Sequence, residues 1–231
     1  MNKLPPVTKN LLIINVLCWM GTLAMAKYGI DLQKLFGLHF FMAPGFRIWQ
    51  LVTYQFLHEG FQHIFFNMFA VWMFGRIMEV QWGSKRFLTF YLLCGIGAGL
   101  TQELCQFIHY ELVYAHYEVV ALGNGITIPM KQYLDQILTV GASGSVYGIL
   151  LGYGMTFPEN RLIIFMPIPI PIKAKWLVVA YVALELLLGL RNSAADNVAH
   201  FAHLGGMLAG FLIMLYWKHK ERKDNHIKFT W

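Results

Sequence analysis

Hydrophobic residues in this chain fall in long blocks, with the polar residues gathered between them. A bilayer-spanning helix needs about 20 apolar residues. Six blocks approach that length, at about 8–26, 61–80, 86–104, 138–157, 175–190 and 197–217. The fifth is short, and its helix is expected to start a few residues earlier. The stretch MNKLPPV before the first block is polar and broken by proline, unlike the front of a signal peptide, so a retained helix is expected there. Two connections are long. Residues 27–60 are amphipathic and aromatic but carry Lys34, Pro44 and Arg47. That pattern predicts a structured first loop in the membrane interface, where Trp and Tyr prefer to sit. Residues 105–137 form a mixed loop with Glu111, Glu118 and Asp135.

Composition agrees with this pattern. Of 231 residues, 57% are hydrophobic and 13% charged, and the mean hydropathy is +0.50. A soluble domain carries about 25% charged residues. The expected class is therefore an all-α polytopic membrane protein, one membrane domain over 1–231 with a basic tail at 218–231. Cys18, Cys94 and Cys105 are odd in number and lack metal-ligand spacing, so neither a disulfide framework nor a metal site is expected.

The net charge of +6 changes the picture only through its placement. With the N-terminus inside, Lys3, Lys9, Arg76, Lys85, Arg86, Arg161, Lys173, Lys175 and the five basic residues of 218–228 fall inside. Only Lys27, Lys34, Arg47, Lys131 and Arg191 fall outside. The positive-inside rule then puts both termini in the cytoplasm, as for a protein of a bacterial inner membrane. Topology and anionic lipid explain the basic tail, and nucleic acid is not an expected partner.

Polar residues inside the apolar blocks are costly and are functional-site candidates. The fourth block holds GASGSVYG, in which Ser143 and Tyr147 are four apart and share a helix face, while Ser145 points nearly the opposite way. The sixth holds AHFAHLGGMLAG, with His203, Gly206 and Gly210 on one stripe. The second holds HIFFN, with His63 and Asn67 again four apart. Singly, these are packing glycines and interhelical hydrogen bonders. Jointly, three helices starting on the same side supply a hydroxyl, an imidazole and an amide at one depth.

That set fits acyl transfer. Serine needs a base to take its proton, and His203 can act as one near neutral pH. The developing oxyanion needs donors, for which His63, Asn67 and the Ser143 backbone N–H are candidates. Tyr147 is placed to hold the imidazole by stacking. Gly206 and Gly210 let the sixth helix press against the fourth. Glu185 reads as deep in the fifth helix and as a structural hydrogen bonder, so a Ser–His dyad without an acidic orienter is expected. His58 and His200 read as mouth or loop-anchoring residues. A transporter would favour internal repeats and broken helices in both halves, and neither is visible.

At these residues the chain resembles the rhomboid family of intramembrane serine proteases. The matching stretches are GASG with Tyr147, AHLGGMLAG, HIFFN, MEVQWGSKRFLTFY after the second helix and PIPIPIKAKW before the fifth. The resemblance implies a six-helix bundle with a long interfacial first loop. It also implies a Ser143–His203 dyad, an oxyanion site at His63 and Asn67, no cofactor, and transmembrane protein substrates cut near small residues. The alternative within the family is a catalytically weak relative that binds membrane clients. Two departures stand out: Gln50 follows Trp49 where many rhomboids carry arginine, and the 105–137 loop is longer than in compact members.

Overall fold

The computed structural model describes residues 3–123, 125–166, 168–191 and 199–224. The chain begins with helix α1 (Pro6–Ala26), then a first loop holding α2 (Leu32–Phe36), strand β1 (Leu38–His39) and α3 (Gln50–Thr53). A continuous rod follows, formed by α4 (Phe61–Ala70), a π-helical turn at Val71–Gly75 and α5 (Arg76–Trp82). Next come α6 (Ser84–His109), extended by a π turn at Tyr110–Tyr114, then β2 (Val119–Gly123), β3 (Ile126–Pro129), α7 (Met130–Leu134) and β4 (Leu138–Thr139). The last part is α8 (Ser143–Thr156), the hairpin β5 (Arg161–Met166) and β6 (Ile168–Lys173), α9 (Ala174–Arg191) and α10 (His200–Asp224).

The protein is mostly helical, and it is an integral membrane protein. Three helices, α1, α6 with its π extension, and α10, are long and apolar enough to cross a membrane by length and composition. Large apolar side chains such as Leu17, Phe66, Leu187 and Leu212 face outward, where lipid rather than water is their natural solvent.

Polar groups fix the helix ends on one side. Pro6 opens α1, where its missing N–H costs nothing. The Glu79 carboxylate accepts from the backbone N–H groups of Val7 (2.9 Å) and Thr8 (2.6 Å), capping that helix. Glu79 also accepts from the Ser84 hydroxyl at 2.6 Å, at the start of α6. Between them Gly83, at φ +82°, reverses the chain in one residue. The core is built where α10 packs on α6 and α8, and α8 on α6. Phe87, Phe90, Tyr91, Cys94, Ile149 and Met214 fill it.

Several expectations are corrected. The chain is not purely helical: β1 pairs with β4, β2 with β3 and β5 with β6, all antiparallel. The fourth helix starts at Ser143, not near 138, because Leu138 and Thr139 pair with His39 and Leu38 and hold the chain extended. The third helix runs to His109, well past 104. The fifth does start slightly before its block, at Ala174, and no earlier, since the residues before it form β6, whose alternating prolines cannot continue a helix. The expected start of the sixth helix at 197 and the tail beyond 224 lie outside the described residues.

The two long loops support each other. Phe40, Ala43, Met130 and Leu134 form a second small core, with Phe107, Tyr110 and Tyr133 around it. Asp135 accepts from Gly45 N–H at 2.7 Å and lies 3.3 Å from His39 Nδ1. The first loop is anchored by Gln50, which is almost fully buried. Its Oε1 accepts from Arg47 N–H at 3.0 Å and its Nε2 donates to Gly45 O at 3.1 Å.

Candidate active site

The site is assembled where the starts of α4, α8 and α10 converge. The extended β4 segment delivers Gly141, whose N–H donates to Tyr54 O at 2.9 Å. Gly141 sits at φ +129°, and a Cβ there would fall 2.6 Å from His63 Nε2, so both backbone and space demand glycine. Two residues later Ser143 opens α8 with its backbone N–H among those left unpaired at a helix start.

Ser143 Oγ lies 2.8 Å from His203 Nε2. His203 is buried in the first turn of α10. Its ring stacks on Tyr147, with centroids 4.2 Å apart and planes 11° from parallel. A cavity of about 800 Å³ opens over these groups, lined by His63, Asn67, Gly141, Ser143 and His203 together with Gln102, Gln106 and Gln136. Its amide-rich wall suits water. Asn67 donates one amide N–H to His63 O at 3.0 Å, which leaves the other for the cavity. Gly206 and Gly210 lie behind the site in the contact between α10 and α8. Ser145 faces away, its Oγ 2.8 Å from Tyr91 O and 3.2 Å from Gln55 Oε1.

Glu185 and His200 stand elsewhere than the sequence suggested. Glu185 Oε2 lies 2.6 Å from His200 Nδ1 and 3.0 Å from His203 Nδ1. The second contact has the distance of a hydrogen bond but not its alignment. Glu185 Oε1 accepts from the Tyr147 hydroxyl. A carboxylate therefore does reach the histidine, and His200 is buried beside it rather than at the mouth. The reason is depth. Glu185 is six residues before the end of α9 at Arg191, about 9 Å, and His203 three residues into α10, about 4.5 Å, on the same side. Counting back from the end of the fifth block would have found this.

Glu185, His200 and His203 also form the one group among the described residues whose ligand atoms, all within 4.8 Å, could hold a metal ion. His58 does lie at the loop, buried, edge-on to His63 with ring centroids 5.0 Å apart. Burial, and secondly the neighbouring His63, pull His58 down to about 3, so this imidazole is neutral. Cys18, Cys94 and Cys105 are free thiols.

The family model described as the Rhomboid domain matches residues 45–220. A Bacillus subtilis protein, YdcA, whose name marks it as a candidate rhomboid protease, is 26% identical over 225 residues, 96% of this chain and 94% of its own length. Rhomboid protease AarA of Providencia stuartii is 27% identical over 77% of this chain and 59% of its own. Rhomboid protease GluP of Bacillus subtilis is 28% identical, over 71% of this chain but only 25% of its own.

Proposed function

Because the chain belongs to the rhomboid family, we propose that it is an intramembrane serine endopeptidase that cuts transmembrane segments of other membrane proteins. One observation carries this: a serine hydroxyl 2.8 Å from an imidazole nitrogen, on a cavity lined in part by glutamine and asparagine amides, in a membrane protein. In the reaction His203 Nε2 takes the Ser143 proton while Oγ attacks the scissile carbonyl. The oxyanion is met by the Ser143 N–H, His63 and Asn67. His203 then gives the proton to the leaving amine, and a water from the cavity repeats the sequence to release the acyl group.

The proposed topology has six spans in a single membrane domain over 1–231, with both termini cytoplasmic. Helix α8, at 14 residues, is about 21 Å long, against a hydrocarbon core of about 30 Å. If its far end reaches the cytoplasmic boundary, Ser143 lies some 10 Å below the outer surface. That depth suits peptide hydrolysis within the bilayer, since the cavity above brings water down. A helical substrate would enter beside α9.

The test is cleavage of a model transmembrane substrate together with fluorophosphonate labelling of the solubilised protein. Wild type should cleave and label. Ser143→Ala and His203→Ala should do neither, and the double variant should be no worse, because such pairs act as a unit. Ser145→Ala should keep turnover. A folded wild type that binds the substrate without cutting or labelling would instead make the chain a client-binding relative.

A further inference from the structure

Resting on the serine-protease function above, we propose that Glu185 is a positioning residue that fixes the His203 tautomer, making the site a Ser143–His203–Glu185 triad rather than a dyad. Three groups converge on one carboxylate: the Tyr147 hydroxyl on Oε1, and His200 Nδ1 (2.6 Å) and His203 Nδ1 (3.0 Å) on Oε2. An ionised carboxylate only accepts hydrogen bonds, so His200 offers it a proton on Nδ1, and the same charge 3.0 Å from His203 Nδ1 favours a proton on that nitrogen too. His203 with its proton on Nδ1 has a bare Nε2. That is the atom 2.8 Å from Ser143 Oγ and the one that must accept the serine proton.

The poor alignment of the His203–Glu185 contact is informative. In the resting site Oε2 lies nearer to His200 than to His203. When the Ser143 proton moves to Nε2, the Oγ–carbon bond forms and the carbonyl electron pair moves to oxygen. His203 becomes a cation 3.0 Å from the carboxylate. The contact then strengthens, and an interaction that grows in the transition state is the kind that accelerates the step. Glu185 keeps its negative charge throughout and takes no proton. It also governs the ring indirectly, since Tyr147, which stacks on His203, is bonded to it.

Two measurements test the proposal. In ¹⁵N-histidine-labelled wild type, with His203→Ala to assign the signal, His203 should carry its proton on Nδ1 at the pH of turnover. A proton on Nε2 instead overturns the assignment, whether or not the protein cleaves, so this result is separate from failure of the protease function. In Glu185→Gln the side-chain amide can donate to Nδ1 and force the wrong tautomer. We expect kcat to fall on the order of 10²-fold at unchanged KM, short of the roughly 10⁴-fold of the equivalent change in the Ser–His–Asp triad, because Tyr147 still holds the ring. Adding Glu185→Gln to His203→Ala should cost nothing further. Full kcat with a lowered melting temperature would reduce Glu185 to a structural role; if the variant fails to fold, the tautomer measurement decides.

Discussion

Gly206 of α10 meets Gly144 of α8, the residue after Ser143, with no room between them: a Cβ on Gly206 would land on the Gly144 carbonyl oxygen. The obstacle is backbone, which cannot swing aside. Gly206→Ala must therefore push α10 away from α8 and draw His203 off Ser143. Overpacking of this kind costs about 1–3 kcal/mol, and we expect kcat to fall more than stability does. Gly210→Ala is the control, since its Cβ would meet the Phe90 ring edge at 3.0 Å and Cys94 Sγ at 3.3 Å, both side-chain atoms. Turnover and melting temperature of the two variants decide. Wild-type kcat in Gly206→Ala would sink the idea that this contact sets the serine–histidine distance.

The proposed oxyanion donors are open to a similar separation of rate from stability. Removing one preorganised donor typically costs on the order of 10²–10³ in kcat. A smaller loss is expected for Asn67→Ala and for His63→Ala, because the Ser143 N–H and a cavity water share the load. An interhelical bond alone would be worth about 0.6 kcal/mol. Slowed turnover at unchanged melting temperature supports the donor role; full turnover at a lowered one leaves only a structural bond.

How much of this was legible in the sequence depended on whether a signal was local. Ser143 and Tyr147 do share a face, and Ser145 does point away, because helical period alone decides those directions. The strands were not legible. Leu138 and Thr139 belong to an apolar run that any periodicity continues into a helix, and only their pairing with β1, a hundred residues earlier, holds them extended. Glu185 reads as deep in its helix, yet it lies only six residues from the end that adjoins the start of the next helix, where His203 sits. His200, which reads as a mouth residue, is buried against that same carboxylate, 2.6 Å from it. The anchoring of the first loop by Gln50 had no sequence signal beyond an unexpected residue type.

His58 predicts an acid limit on stability. Its two ring nitrogens are buried without a hydrogen-bond partner among the described residues, and its folded pKa of about 3 lies below the 6.5 of the unfolded chain. Between those values the unfolded state binds the extra proton. Stability is therefore whole above about 6.5 and is lost progressively as pH falls toward 3. His58→Leu leaves no orphaned nitrogen and removes the titration. Melting temperature in detergent should drop from pH 7.5 to 5.5 in wild type and drop less in the variant. Equal drops would assign the acid sensitivity elsewhere.

Gln50 predicts that the two outer loops loosen as one. Its amide is the only side chain that both accepts from the backbone at Arg47 and donates to the backbone at Gly45, among the described residues. Gly45 in turn hands its N–H to Asp135, in the 105–137 loop. Gln50→Ala strips the partners from partly buried backbone groups, which costs less than the roughly 1–3 kcal/mol of a fully buried group left unsatisfied. Other ties of the first loop remain, among them the Thr53 hydroxyl bond to Phe36 O at 2.6 Å and the Gln33 Nε2 bond to His58 O at 3.1 Å. Limited proteolysis should then cut both 27–60 and 105–137 faster than in wild type. Asp135→Ala should speed cutting of the same two loops to a lesser degree, since Gln50 still holds the first. None of Gly45, Arg47, Gln50 and Asp135 lines the cavity that holds Ser143 and His203, so fluorophosphonate labelling of intact Gln50→Ala should stay near wild type. Faster cutting of the first loop alone would mean that the two loops merely touch. Unchanged cutting of both would show that the small apolar cluster of Phe40, Ala43, Met130 and Leu134 holds them without the amide.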